Sequence, residues 1–282
     1  MSGSEASAQK TPEGPGVLDR IQTAMQKARE EHSPVRLPER SIPSVHSVGD
    51  ALWAKLEAGR LIPDQATAAR LVTARRSDPA HTAFDMMRTR VLQLLRQNNW
   101  RSIAITSPTP GCGKTMVTLN LAFSLAHQKD CRTVVVDLDL RRPQIAKSLG
   151  IRNPSSMEDF LKGQVPLEST LLRYGDNVAV ASNSRPVHLA AELLQNTDTT
   201  KALASLQQRL NPDVVLFDLP PMLANDDVMA FLPNVDCAIL VVAAESSTLT
   251  EADLCERELA LKTNVLGVVL NKSQHVTETY GY

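Results

Sequence analysis

The stretch from Ser107 through Pro108, Thr109, Pro110, Gly111, Cys112, Gly113 and Lys114 to Thr115 constrains this chain most. A short apolar run, Ile103 to Thr106, leads into it, and an apolar-periodic segment, Met116 to Ala126, leads out. Strand, glycine turn and helix in that order is the setting of a phosphate-binding loop. Gly111 and Gly113 let the backbone approach a phosphate closely. The loop and the helix N-terminus present N–H groups, Lys114 reaches the β/γ oxygens, and the Thr115 hydroxyl can ligate Mg²⁺. Pro110, Gly111, Cys112, Gly113, Lys114, Thr115 and Met116 are therefore the expected nucleotide-binding residues. Pro108 stands where that pattern usually opens with glycine.

Two further apolar runs end in acid. Thr133 to Asp137 is followed by Asp139, Arg141, Arg142 and Pro143, and Val214 to Asp218 is followed by a Pro-Pro pair. In an open parallel sheet the ligand crevice lies at the C-terminal ends of the strands, so Asp137, Asp139 and Asp218 are expected to converge on the metal and phosphates held by Lys114 and Thr115. Strand-end aspartates also start turns and cap helices, which is the plainer reading of any one of them alone.

Strand-like runs recur at 102–106, 133–137, 177–181, 213–218, 236–243 and 265–270, separated by segments long enough for helices. The alternation implies an α/β fold, a doubly wound and mostly parallel sheet with helices on both faces. Residues 1–78 read as an extension: a Ser/Gly/Ala/Pro-rich start to residue 16, an amphipathic helix over 17–31, a proline-bearing linker over 33–47 and helical sequence over 48–74. A helix over 79–97 then opens a domain spanning 79–271, and 272–282 is a polar tail.

Charge gives no nucleic-acid signal: residues 1–80 carry 11 Lys+Arg against 10 Asp+Glu, and the whole chain has a net charge of −1. Cys112, Cys131, Cys237 and Cys255 form no Cys-x-x-Cys pair, which suits a reducing compartment. Cys112, inside the loop, is either an inert filler or a site of oxidation. No run approaches the ~20 apolar residues that span a bilayer, so the chain is expected to be cytoplasmic, any membrane contact coming through a partner.

Two of the three tyrosines are Tyr280 and Tyr282, at the end of that tail. The tail leaves the last strand at the same sheet edge as the phosphate loop, and ten residues reach at most ~33–36 Å, enough to enter a neighbouring subunit's crevice. A tyrosyl hydroxyl there can attack a γ-phosphate. An incidental tail, or an aromatic dock to a partner, is the alternative.

Taken together, residues 105–115, Asp137 to Pro143, Phe217 to Pro221, Val268 to Ser273 and the tyrosine-bearing tail resemble the bacterial tyrosine kinases, the cytoplasmic CpsD/CapB-type autokinases of capsule and exopolysaccharide synthesis. The resemblance covers about 80–282. It implies a phosphate-loop fold, ATP and Mg²⁺, with Lys114 on the β/γ phosphates, metal ligation by Thr115 and Asp139, and Asp218 acting on the metal largely through water. It further implies Asp137 as acceptor of the tyrosyl proton, Tyr280 and Tyr282 as phosphoacceptors, and Asn271 with Lys272 near the base. Self-association for phosphorylation in trans and a membrane chain-length-determinant or activator protein follow from the same resemblance. Lys114→Met is expected to abolish transfer and leave folding largely intact.

Three departures stand out. The family's ring-building Glu, Arg, Arg helix motif reads Thr82, Asp85, Arg88 here, Cys112 occupies an often acidic loop position, and only two tyrosines remain in the tail. The alternatives are a MinD/ParA-type nucleotide-switched ATPase and a noncatalytic ATP-binding scaffold. The switch ATPases carry a second lysine where this chain has Thr109, and their membrane-binding members end in a basic amphipathic helix rather than a polar tail.

Overall fold

The computed structural model describes residues 46–74, 78–244 and 246–273. The features expected before residue 46, and the tail tyrosines Tyr280 and Tyr282, lie outside the described residues.

The helices are α1 (His46–Lys55), α2 (Pro63–Ala68), α3 (His81–Asn98), α4 (Lys114–Leu125), α5 (Ile145–Leu149), α6 (Met157–Leu161), α7 (Ala190–Gln195), α8 (Thr197–Leu210), α9 (Asp227–Phe231) and α10 (Leu249–Ala260). The strands are β1 (Glu57–Ala58), β2 (Ser102–Ser107), β3 (Thr133–Asp137), β4 (Leu171–Tyr174), β5 (Val178–Ala181), β6 (Val214–Pro221), β7 (Cys237–Ala243) and β8 (Asn264–Asn271). They form one sheet in the order β1-β4-β5-β3-β6-β2-β7-β8, parallel throughout except for the antiparallel pair β4 and β5.

Every apolar run read from the sequence becomes a strand of this sheet. Central strands are buried on both faces, so they need continuous apolar sequence rather than alternation. All side chains of β3 and β6 are buried, Asp137 and Asp218 included. Those two acids are register partners on neighbouring strands, so the sheet itself sets them side by side. Two core clusters cover its two faces. Helix α4 is buried along nearly its whole length, and its buried polar side chains, Lys114, Thr115, Thr118, Asn120 and Ser124, are each hydrogen-bonded.

The expected extension packs onto the body of the protein over its described part. Residues 46–74 belong to the same compact unit as the phosphate loop. Trp53 is buried, its indole N–H donates to the Leu210 carbonyl at 2.9 Å, and the Arg132 guanidinium lies 5.3 Å from its ring centre. The following segment is pinned to α4 by Asn120, which accepts from the Thr73 amide at 3.1 Å and donates to the Arg70 carbonyl at 2.9 Å. The last two residues of the expected linker, His46 and Ser47, open α1.

Candidate functional site

Strand β2 carries the chain to the crevice edge and α4 carries it away. Between them Gly111 and Gly113 take φ of +86° and +91°, the left-handed region that side chains rarely adopt. This turn is one wall of a cavity of about 650 Å³ lined by Pro110, Gly111, Gly113, Lys114, Thr115, Met116, Asp139, Arg141 and Arg142, with Gln144 and Ser148 beyond them.

Beneath the turn lies a charged floor. Lys114 Nζ donates to Asp139 Oδ2 at 2.7 Å and stands 3.7 Å from Asp218 Oδ2. Thr115 Oγ1 donates to the same Asp218 oxygen at 2.6 Å, and Thr118 Oγ1, one turn on, donates to Asp218 Oδ1 at 3.1 Å. Burial opposes the Lys114 charge, but the Asp218 and Asp139 carboxylates outweigh it and hold its pKa above the ordinary lysine value. Asp218 is pushed up by burial, against the pull of Lys114 and the Thr115 hydroxyl. Asp137 is raised well above the carboxylate range, by burial first and then by repulsion from Asp218, with Lys114 offsetting part. Its Oδ2 accepts from the Ile145 amide at 3.3 Å, while its Oδ1 is buried with no hydrogen-bond partner.

The three carboxylates therefore do converge around Lys114, but they are not equivalent. Only Asp139 lines the cavity. Asp137 and Asp218 lie under it, fully buried. That burial makes Lys114→Met a test of folding as well as of transfer. Removing the ammonium strands carboxylates that, among the described residues, have no other cation within salt-bridge distance, and an uncompensated buried charge typically costs about 3–5 kcal/mol.

Asn271 stands behind the loop rather than on the cavity wall. Its Nδ2 donates to the Cys112 carbonyl at 2.8 Å, tying the end of β8 to the turn. The Cys112 side chain is also turned away from the cavity. Its sulfur sits 3.6 Å from Thr109 Oγ1 and 3.5 Å from Ser247 Oγ, and although burial would raise its pKa, those hydroxyl contacts leave it lowered.

Sequence reasoning missed two supporting residues. Thr118 was detectable as the i+3 partner of Thr115 on one helix face. Asp227 was not: this buried acid at the start of α9 grips Arg141 through two bonds, of 2.7 and 2.9 Å, across 86 residues of chain. Asp85 and Arg88 form a 2.8 Å ion pair, and both contact Ser124 on α4, so the altered helix motif is engaged within the fold.

A glycine turn between strand and helix, with a lysine, a threonine and strand-end acids at the sheet's carboxyl edge, defines a P-loop nucleoside triphosphatase domain. The chain belongs to the ParA family, whose model, described as NUBPL iron-transfer P-loop NTPase, matches residues 98–281.

The resemblance to bacterial tyrosine kinases is carried by its relatives. The chain is 30% identical over 193 residues to the candidate tyrosine-protein kinase AmsA of Erwinia amylovora, covering 66% of this chain and 25% of that one. It is 27% identical to the tyrosine-protein kinase YwqD of Bacillus subtilis, covering 64% of this chain and 77% of YwqD. The chain spans about a quarter of the length of the first curated relatives it matches. Among solved structures, the kinase domain of the Escherichia coli tyrosine kinase ETK superposes with a TM-score of 0.66 at 26% identity, covering 75% of this chain and 84% of that domain. The septum site-determining protein MinD of Pyrococcus horikoshii, complexed with Mg-ADP, shares the fold at a TM-score of 0.51.

Proposed function

We propose that this chain is an ATP-dependent protein-tyrosine autokinase that phosphorylates Tyr280 and Tyr282, in trans between copies. The observation that carries the reading is the unpartnered Oδ1 of Asp137. Every other carboxylate oxygen of the floor described above already accepts a proton donor or faces the lysine, whereas this one is buried without a partner on a carboxyl whose pKa burial raises. The relatives' names support the same chemistry.

The residues present fit Mg²⁺ and a nucleotide. Thr115, Asp139 and Asp218 are hard oxygen donors suited to Mg²⁺, and the cavity beside the left-handed turn has the volume of a ligand site. The cation, when bound, neutralises charge on the phosphate oxygens. The chain's own residues do the rest. Lys114 exchanges its carboxylate partners for β/γ oxygens, the backbone of 110–116 cradles the phosphates, and Asn271 keeps the turn in position from behind. The tyrosyl oxygen attacks the γ-phosphorus of ATP, the bond to ADP breaks, and the hydroxyl proton passes to Asp137 Oδ1. Because Asp137 is fully buried, the hydroxyl must come to it through the floor that Lys114 and Asp139 now occupy. Transfer of this kind is mainly positioning and charge neutralisation, for which the cluster is sufficient.

The site's place in the cell follows from the same reading: a cytoplasmic kinase domain, paired with a membrane activator, that regulates exopolysaccharide or capsule synthesis and export. Among the described residues no helix is long and apolar enough to cross a membrane. One relative, from Klebsiella pneumoniae, is named for its cps region. The kinase unit in this reading runs from the first described helix through Asn271, with 272–282 as acceptor tail.

The MinD-like structures favour a second reading, a nucleotide-switched ATPase. Thr109 argues against it, since its hydroxyl engages Cys112 and it brings no second positive charge to the loop. Incubating the purified chain with Mg²⁺ and ATP, followed by intact and C-terminal peptide mass spectrometry, decides between them. Phosphate on Tyr280 or Tyr282, absent in Lys114→Met, is expected. Hydrolysis without tyrosine phosphate, also in the presence of a candidate activator, would overturn the kinase in favour of the switch.

A further inference from the structure

Strand β8 ends the sheet. It pairs with β7 on one side, and among the described residues no strand pairs with the other. An eight-residue edge with open N–H and C=O groups is a template for another strand, and folded proteins usually blunt such an edge with charge, proline or cover. This one carries no charge between Asn264 and Asn271. Leu266 and Val269 pack against the core on the α3 side, whereas Val268 and Leu270 are 51% and 62% exposed. On the α3 side the edge borders an open groove of about 640 Å³, with Phe84, Met86, Met87 and Arg90 on its helical wall and Met86 itself 58% exposed.

The chain leaves β8 into this groove. Lys272 and Ser273 both line it, and Lys272 takes φ of +60°, a left-handed conformation that a lysine adopts at some cost and that turns the chain out of the strand direction. Residues 274–282 follow: Gln, His, Val, Thr, Glu, Thr, Tyr, Gly, Tyr. Five of the nine are β-branched or aromatic, the residue types that suit a strand. In an extended strand the alternation would put Val276, Glu278, Tyr280 and Tyr282 on one face. Nine extended residues reach about 30 Å, close to the ~27 Å of an eight-residue strand, so the segment is long enough to run back along the whole edge.

We infer that residues 274–282 of this chain dock in cis against β8 as an antiparallel ninth strand, setting Tyr280 and Tyr282 against the methionine-bearing groove between β8 and α3. Sulfur and aromatic rings attract each other, and Glu278, on the tyrosine face, is a suitable partner for Arg90 on the groove wall. The surface stands without the kinase reading. Its consequence rests on it: a docked tail withholds the acceptor tyrosines from any nucleotide site, and undocking releases them.

Hydrogen exchange followed by mass spectrometry tests the docking without ATP. The full chain is compared with a chain ending at Ser273, at two protein concentrations. The expected result is that peptides covering 264–271 exchange at least about tenfold more slowly in the full chain, at a rate independent of concentration. Val268→Lys and Met86→Lys, both at exposed positions, should remove that protection and speed chymotryptic cleavage after Tyr280 about tenfold, with the far-ultraviolet spectrum unchanged. Equal exchange in the two chains overturns the proposal. Protection that survives truncation and grows with concentration overturns it as well, assigning the edge to a second copy. Because none of these readouts needs phosphoryl transfer, failure of the docking and failure of the kinase reading are seen separately.

Discussion

The floor under the phosphate loop and the edge along β8 lie at two ends of one hydrogen bond, the Asn271 amide on the Cys112 carbonyl, and they are built on opposite principles. The floor packs one lysine, two threonines and three acids into a space almost closed to water, with a single carboxylate oxygen left unpartnered. The edge exposes valine, leucine and methionine beside a row of backbone groups that no strand pairs among the described residues. Buried charge is costly to leave unmatched, so the floor fixes its own geometry before any ligand arrives. Exposed apolar edge is only mildly costly and imposes no unique partner, so what covers it is free to come and go. One region is rigid and wants charge; the other is permissive and wants chain.

That contrast predicts large effects from the floor and small ones near the edge. Lys114→Met should lower phosphate incorporation on Tyr280 and Tyr282 by at least about a hundredfold and destabilise the domain by about 3–5 kcal/mol at pH 7, read by intact mass and by thermal melting. The stability cost should shrink as pH falls from the raised folded pKa values of the stranded acids toward the ordinary value of 3.8, the interval in which the folded state takes up their protons.

Asp137→Asn should lower transfer by about 10²–10⁴-fold, as loss of a proton acceptor does, while stabilising the ligand-free domain. The sign follows from the raised pKa. Between the unfolded value of 3.8 and the higher folded value, the folded state holds a proton that the unfolded chain has released, so stability falls as pH rises through that interval and the penalty is complete above it. The melting difference between variant and wild type should therefore be near zero at pH 3.8 and below, and widen upward. A difference constant with pH would mean that Asp137 is ionised at no cost, and the floor would no longer be the strained region.

Asp227→Asn removes a charge-assisted clamp and should cost about 1.5–3 kcal/mol in a denaturant titration, with the KM for ATP rising as Arg141 loosens at the cavity. Smallest is Thr248→Ala. The capping box of Thr248 and Glu251 starts α10, the helix packed on β7 and β8, and its loss should cost about 1 kcal/mol by the same titration, with transfer unchanged. An α10 variant matching the floor variants in lost activity would break the comparison outright.

The parts legible in the sequence were those written in neighbouring residues. A buried parallel strand is a short unbroken apolar run, so Thr133 to Asp137 could be read to the residue. The glycine turn and the acids at strand ends are local signals as well, and they brought the floor together on paper. Strands β1 and β4 were missed because two residues, and four that include Arg173, carry too little pattern; they exist by pairing with each other at the far edge of the sheet, β4 also with β5. The same limit hid Asp227, whose partner lies 86 residues away, and the bond from the Asn271 amide to the Cys112 carbonyl across 159 residues. Burial was the other blind spot. Sequence position alone could not separate Asp139, on the cavity wall, from Asp137 and Asp218 beneath it.

The packing of segment 46–74 has a consequence for how the chain can be divided. Leu52, Trp53, Leu56, Ala66 and Leu71 are held by the body of the protein through burial and through the bonds of Trp53 and Asn120, not by the covalent link that follows them. A peptide of residues 46–74 is accordingly expected to bind a body beginning near residue 78 and to raise its melting temperature. A body whose melting is unmoved by the peptide would show that the segment contributes nothing to the stability of the rest.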